Sequence, residues 1–121
     1  MLSNLQLIKN YGMDIDDCEN EDLLSPFDLI ATLAVRDSLE EDYNNLSDEE
    51  KRLLKENDKK LIKNAVKFNQ ELKKVLKLDG SIPVERWWTH LDEVISGELF
   101  VDLDNHQVHF KNNDMAATLT A

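Results

Sequence analysis

The chain is poor in the residues that staple or break structure: one cysteine, two prolines and three glycines among 121 residues. A lone thiol, Cys18, cannot close an internal disulfide, so cysteine usage gives no sign of an oxidising compartment. So little glycine and proline argues against a turn-rich all-β fold and for long helices. No run approaches the roughly 20 apolar residues of a membrane span, and Met1 to Tyr11 lacks the basic-then-apolar order of a secretory signal. Together these point to a cytoplasmic address. Also missing are a glycine-rich phosphate loop, a paired-cysteine spacing and a nucleophile elbow. The carboxylates around Cys18 in sequence disfavour its thiolate, the wrong setting for a nucleophile.

Charge is abundant and unevenly placed. The net charge is −11. Residues 1–50 hold 14 acids against Lys9 and Arg36, whereas Lys51 to Lys77 holds ten bases against Glu56, Asp58 and Glu71. An acidic first half therefore meets a basic second segment, and internal complementarity plus solvated faces is the simplest use of that division. The overall acidity argues against binding to nucleic acid or to an anionic membrane surface.

Hydrophobic spacing predicts a mainly α fold: a small bundle of three main helices, a short N-terminal helix and a C-terminal β-hairpin. Ser3 caps the first helix, which Gly12 is expected to end. The acid-dense stretch Asp14 to Asp22 reads as a loop, because like charges repel and leave little to bury. Ser25-Pro26-Phe27-Asp28 starts the first main helix: a hydroxyl cap, a proline at the first helical position and an acid near the positive helix end. Its segment Phe27 to Val35 is apolar on almost every side, which predicts a central position. Ser47 and Glu50 form a capping box for the second main helix. That helix is expected to reach Leu78, with Leu54, Leu61, Phe68 and Val75 recurring every seven residues and Ala65 and Leu72 between them. Asp58 takes a seam position there, so a kink or break is expected around Glu56 to Asp58. Asp79-Gly80 ends it. Pro83 begins the third main helix, with Val84, Trp88, Leu91 and Ile95 on one face and Gly97 closing it. Glu98 to Leu103 and His106 to Phe110 read as strands about an Asp104-Asn105 turn. A hairpin is marginal alone, so it must pack on the helices or pair with another chain. The expected organisation is one domain, 1–121: N-terminal helix and acidic loop 1–24, helical core 25–97, hairpin 98–110 and tail 111–121.

Metal and cofactor sites are not expected. Asp14, Asp16, Asp17 and Glu19 resemble the opening of a calcium loop, but Glu19 and Ser25 stand where the glycine and the bidentate glutamate belong, and a loop counted from Asp102 fails likewise. His106 and His109 on one strand face opposite sides. His90 is placed to pair with Glu93 on its helix.

The most unusual feature is Trp87-Trp88. Neighbours on a helix point about 100° apart, so both need not enter one core. Trp88 aligns with the buried face. Trp87 lies at its edge with Val94, where it either completes the core, covers the hairpin or anchors a partner. Trp87, His90, Val94 and, on the hairpin, Phe100 are the partner-binding candidates. The ten residues Pro83-Val84-Glu85-Arg86-Trp87-Trp88-Thr89-His90-Leu91-Asp92 resemble a P-x-x-x-W-W-x-x-L-D pattern in small helical bacterial proteins of unknown function. The resemblance implies a bacterial source and a similar helical fold, and it carries no activity.

With no catalytic motif in view, the reading is a non-enzymatic interaction or regulatory protein: an adaptor, an antitoxin-like or immunity-like partner, or a homodimer. The acidic first half can steer a basic partner, and the hairpin can add to another sheet. The alternative is an enzyme or small-ligand binder with a pocket between helices. Asp28, Asp37 and Glu41 could line it, although Asp37 and Glu41 four apart also describe a solvated face.

Overall fold

A computed structural model describes residues 3–19, 26–74, 82–110 and 113–118; of Cys18, Glu19, Pro26 and 113–118 it describes the backbone alone. The order is α1 (Asn4–Glu19), α2 (Pro26–Glu41), a 3-10 turn at Tyr43–Asn45, α3 (Asp48–Lys63), α4 (Ala65–Leu72), a 3-10 turn at Trp87–Thr89, α5 (Leu91–Ser96), and strands β1 (Leu99–Asp102), β2 (Gln107–Phe110) and β3 (Asn113–Thr118). The molecule is mainly helical with an antiparallel hairpin near its C-terminus, as the spacing predicts. Among the described residues, no helix is long and apolar enough to cross a membrane. The expected cap at Ser25 and the expected helix end at Leu78 to Gly80 lie outside the described residues.

Ser3 starts α1, its Oγ accepting from the Gln6 N–H at 3.2 Å. Ile8, Tyr11 and Ile15, three and four residues apart, turn one face into the core. Gly12 does not end this helix, which continues to Glu19. A Cβ at Gly12 would lie 2.5 Å from Asn57 Oδ1, so the glycine is there to let α3 approach. The Asn57 amide, seated against it, donates to the Ile8 carbonyl at 2.9 Å. The acidic stretch is helical as far as Glu19 because the helix disperses its charges. Asp14 reaches Thr32 at 3.1 Å, Asp16 pairs with Lys60 at 3.2 Å, and Ile15 between them goes inward. Partial burial raises the Asp14 carboxyl, and the Thr32 hydroxyl offsets part of that.

α2 buries Leu29, Thr32, Leu33, Arg36, Leu39 and Glu40. It is not enclosed on every side, as its apolar run suggests: α1 and α4 pack along it, while Phe27 remains 69% exposed with Ala31 and Ala34 beside it on the outer face. At the start of α3 the capping box forms in full. Glu50 Oε1 accepts from the Ser47 N–H at 2.8 Å, and Ser47 Oγ accepts from the Glu50 N–H at 3.1 Å. Replacing Ser47 with alanine is expected to cost about 1 kcal/mol of stability, read by denaturant unfolding.

The described members of the seven-residue repeat, Leu54, Leu61 and Phe68, are buried as predicted, with Ala65 and Leu72 between them; Val75 lies outside the described residues. The break falls at Asn64 rather than near Asp58. Asn64 leaves helical geometry (φ −103°, ψ 17°), and its side-chain amide donates back to the Lys60 carbonyl at 2.9 Å. An asparagine that bonds its own backbone competes with the helix at that point. Asp58 keeps its seam position because it has a buried cation to meet.

The third main helix is shorter than expected. Pro83 to Arg86 forms a turn, Trp87–Thr89 a 3-10 turn, and the α-helix spans only Leu91–Ser96. Irregular backbone at Arg86 (φ −91°, ψ 60°) and His90 (φ −120°, ψ 40°) interrupts it. That irregularity turns both indoles inward, edge to face at 5.6 Å, which a continuous helix would resist. Gly97 takes the left-handed conformation (φ 83°) and closes α5, the one position where the turn into β1 requires glycine.

The sheet runs β1-β2-β3, antiparallel throughout. Leu99 pairs with Phe110 and Val101 with Val108; Leu99 and Val108 are buried against the helices. β3 comes from the segment expected to be a tail. Its Ala116 and Ala117 give no side-chain signal for a strand, and pairing with His109 and Val108 supplies one.

Candidate functional site

Two places concentrate chemistry. The first is a buried ionic network joining α1, α2, α3 and the β1–β2 turn. Arg36 has a fully buried side chain. Its Nε and Nη2 donate to the two Asp58 oxygens at 3.0 and 3.1 Å, and its Nη1 donates to Glu40 Oε1 at 3.1 Å. Tyr11 donates its hydroxyl to Asp58 Oδ1 at 2.7 Å. The second Glu40 oxygen lies 3.0 Å from His106 Nε2, and the His106 ring stacks on Tyr43 at 3.7 Å. His106 sits in the turn at φ 54°, a strained value for a residue with a side chain, and its bond to Glu40 together with the stack holds it there. The guanidinium plane also covers Trp88, 4.1 Å from the ring centre. Burial alone would lower the Arg36 pKa, but Asp58 facing it drives the net shift upward, so the guanidinium stays charged. Burial raises Asp58 against the opposing pull of Arg36 and Tyr11. Burial, followed by the Asp58 charge, pushes the Tyr11 phenol well up.

The second place is at the surface. An open groove of about 190 Å³ is lined by Ile62 of α3, Val94 of α5, Gly97, and Leu99, Phe100 and Val101 of β1. Among the described residues β1 has a strand on one side only, so the groove runs beside an unpaired strand edge. Alternation places Leu99 and Val101 on the helix-facing side of the sheet and Glu98, Phe100 and Asp102 on the other. Phe100 is 63% exposed, its ring 6.2 Å from that of His109.

The four partner-binding candidates separate. Val94 and Phe100 meet at the groove. Trp87 is fully buried, so it is a core residue rather than a surface anchor; its Nε1 has no hydrogen-bond partner among the described residues. His90 is buried too, with Nε2 2.6 Å from the Ile82 carbonyl and Nδ1 3.8 Å from Glu93. The acids proposed to line a pocket do not converge. Asp37 accepts from the Trp88 indole at 2.7 Å and pairs with Arg86 at 3.0 Å, Glu41 lies 3.9 Å from the same arginine, and Asp28 is exposed at the start of α2. His106 and His109 are apart, the second being 3.9 Å from Asp102. Among the described residues, no group of three metal-ligating side chains could hold an ion.

Sequence reasoning missed Ile62, Leu99 and Val101 as a surface feature and Arg36–Asp58 as a pair. A signal for the pair was present. Leu29, Leu33, Arg36 and Glu40 share one helical face, so a cation occupies a core position on one helix while Asp58 occupies one on another.

α5 is fixed to α4 by a polar tie. Lys73 Nζ lies 2.7 Å from Asp92 Oδ1, and the buried Asn69 amide donates to the same oxygen at 2.8 Å. The lysine bond and then the asparagine bond hold the Asp92 carboxyl below its ordinary value. A depressed carboxyl stabilises the fold above its unfolded pKa, and that contribution is lost as pH falls through the folded value. Replacing Asn69 with alanine is therefore expected to raise the Asp92 pKa in a carboxylate NMR titration and to move acid unfolding to higher pH.

Compared with protein-family models, curated proteins and solved structures, the chain matches none.

Proposed function

We propose that this chain is a non-enzymatic protein-interaction protein, an adaptor or an antitoxin-like or immunity-like partner, that receives another protein at the β1 groove. Phe100 carries the reading: a large apolar ring stands in solvent beside an apolar groove and an unpaired strand edge. Grouped exposed apolar surface of this kind marks interaction sites, whereas scattered single residues do not. The groove supports a protein over a small ligand, since about 190 Å³ is below the roughly 300–1,000 Å³ of sites that enclose small molecules. The groups best suited to proton transfer, Asp58 and Glu40, are buried and bonded within the fold.

The test compares two phenylalanines of similar exposure. Proteins co-purifying with the full chain are expected to be lost from Phe100→Ser and kept by Phe27→Ser, with both variants retaining the parent melting temperature within about 2 °C. Equal loss from both variants, or from neither, sinks the proposal.

A further inference from the structure

We infer that the partner enters as an added β-strand along β1, and that its docking segment is basic–apolar–apolar–apolar–basic in sequence; this rests on the interaction reading above. Alternate residues of an antiparallel strand direct N–H and C=O away from its neighbour, and β1 has a neighbour on the β2 side only. Edge strands are protected by shortness, by charged side chains, by proline, by a bulge or by a covering element. β1 reads Leu-Phe-Val-Asp, and the sheet's irregularity lies at His109/Phe110 on the far side of β2. Among the described residues no strand pairs with the outer edge of β1; what guards it is its four-residue length and the flanking acids Glu98 and Asp102, which repel an acidic strand and favour a basic one, and the groove beside it is apolar.

Side-chain alternation fixes what an added fourth strand would meet. Residues opposite Leu99 and Val101 lie toward Ile62 and Val94 and must be apolar. The residue opposite Phe100 lies against that ring. The two opposite Glu98 and Asp102 face carboxylates. Across residues 91–110 there are five acids and no lysine or arginine. The bases of the facing helix are occupied within the fold: Lys55 bonds Asp104 at 3.1 Å, Lys59 lies 3.6 Å from Glu56, and Lys63 is engaged as well. Glu98 is exposed and its carboxylate has no partner among the described residues. Asp102 is partly compensated, its two oxygens accepting from Asn105 at 3.2 and 2.7 Å with His109 3.9 Å away, so Glu98 is the stronger of the two attractions for a base. A second copy of this chain fits poorly. Antiparallel β1–β1 pairing centred on Phe100 sets Glu98 opposite Asp102 twice, and like charges directly opposite are destabilising. The occupant is an extended basic segment of a different protein.

The probe is a capped nonapeptide, Ser-Gly-Lys-Val-Val-Val-Lys-Gly-Ser, titrated into the isotopically labelled full chain. Its amide signals at Leu99 to Asp102, and side-chain signals of Ile62 and Val94, are expected to move. The glutamate-for-lysine peptide is expected to bind at least about fivefold more weakly, and Glu98→Lys to narrow or reverse that preference. Methylating one alternate set of peptide backbone nitrogens is expected to abolish binding while the other set is tolerated, because only one set faces β1. Equal effects of the two methylated sets, equal binding of the acidic peptide, or self-association through β1 by sedimentation each overturn the inference. If the peptides fail while Phe100→Ser still loses its co-purifying proteins, strand addition is wrong and the interaction reading stands; if that loss is also missing, the reading itself fails.

Discussion

Arg36→Ala is expected to lower stability by about 3–5 kcal/mol in denaturant unfolding, the range for breaking a buried ion pair by removing one partner. The size follows from what is left behind. Among the described residues, Asp58 loses both guanidinium bonds and keeps the Tyr11 hydroxyl, and Glu40 keeps His106. Two carboxylates would then share a buried site with no fixed cation, so the variant should also bind protons on folding and become more stable relative to the parent as pH falls. Replacing both partners with apolar residues, Arg36→Met with Asp58→Leu, is expected to cost far less than the sum of the single changes, because no charge is stranded. A double variant as damaged as that sum would show that the pair contributes net stability beyond mutual compensation.

Trp87→Ala is expected to be the other large loss, about 3–5 kcal/mol by thermal or denaturant unfolding, through the cavity left by a fully enclosed indole. Its neighbour sharpens the test. Trp87 Nε1 has no partner among the described residues, whereas Trp88 Nε1 donates to Asp37 and its ring lies under Arg36. Phenylalanine at position 87 removes an unsatisfied donor, while phenylalanine at position 88 removes a bond to a carboxylate, so Trp87→Phe should be the milder change. The opposite order would mean that the Trp87 N–H is engaged. An anchoring role at the surface predicts something different from either: lost partner affinity with an unchanged melting temperature.

Much of the helical frame was written in local pattern. Leu54, Leu61, Phe68 and Leu72 announce their buried face by spacing alone, Ser47 and Glu50 announce a helix start, and Gly97 announces an end. Misreadings came where a distant residue changes the meaning of a local one. Gly12 looks like a terminator until Asn57 is known to press on it. The acids from Asp14 look like a loop until Thr32 and Lys60 are placed beside them. Asp58 looks like a flaw in the seam until Arg36 is found, 22 residues earlier in the chain. Paired tryptophans look divergent on a regular helix, and the 3-10 turn that converges them has no clear sequence signature. At the groove, Val94 and Phe100 were legible as apolar residues near the surface. Ile62 was assigned to the helix stripe, and nothing local could say that the end of that stripe would border a strand edge.

His106 gives the last carboxylate oxygen of the network its donor, yet it is made long after the other members. A nascent chain released only as far as Asn105 would carry Tyr11, Arg36, Glu40 and Asp58 with one acceptor still facing no imidazole, and with the β1–β2 turn unclosed. Helices α1 to α4 can collapse at that stage, but the native ionic arrangement is finished only when His106, just before β2, arrives. The order of synthesis therefore puts collapse of the helices ahead of completion of the network, and a chain cut before His106 keeps an unfinished interior.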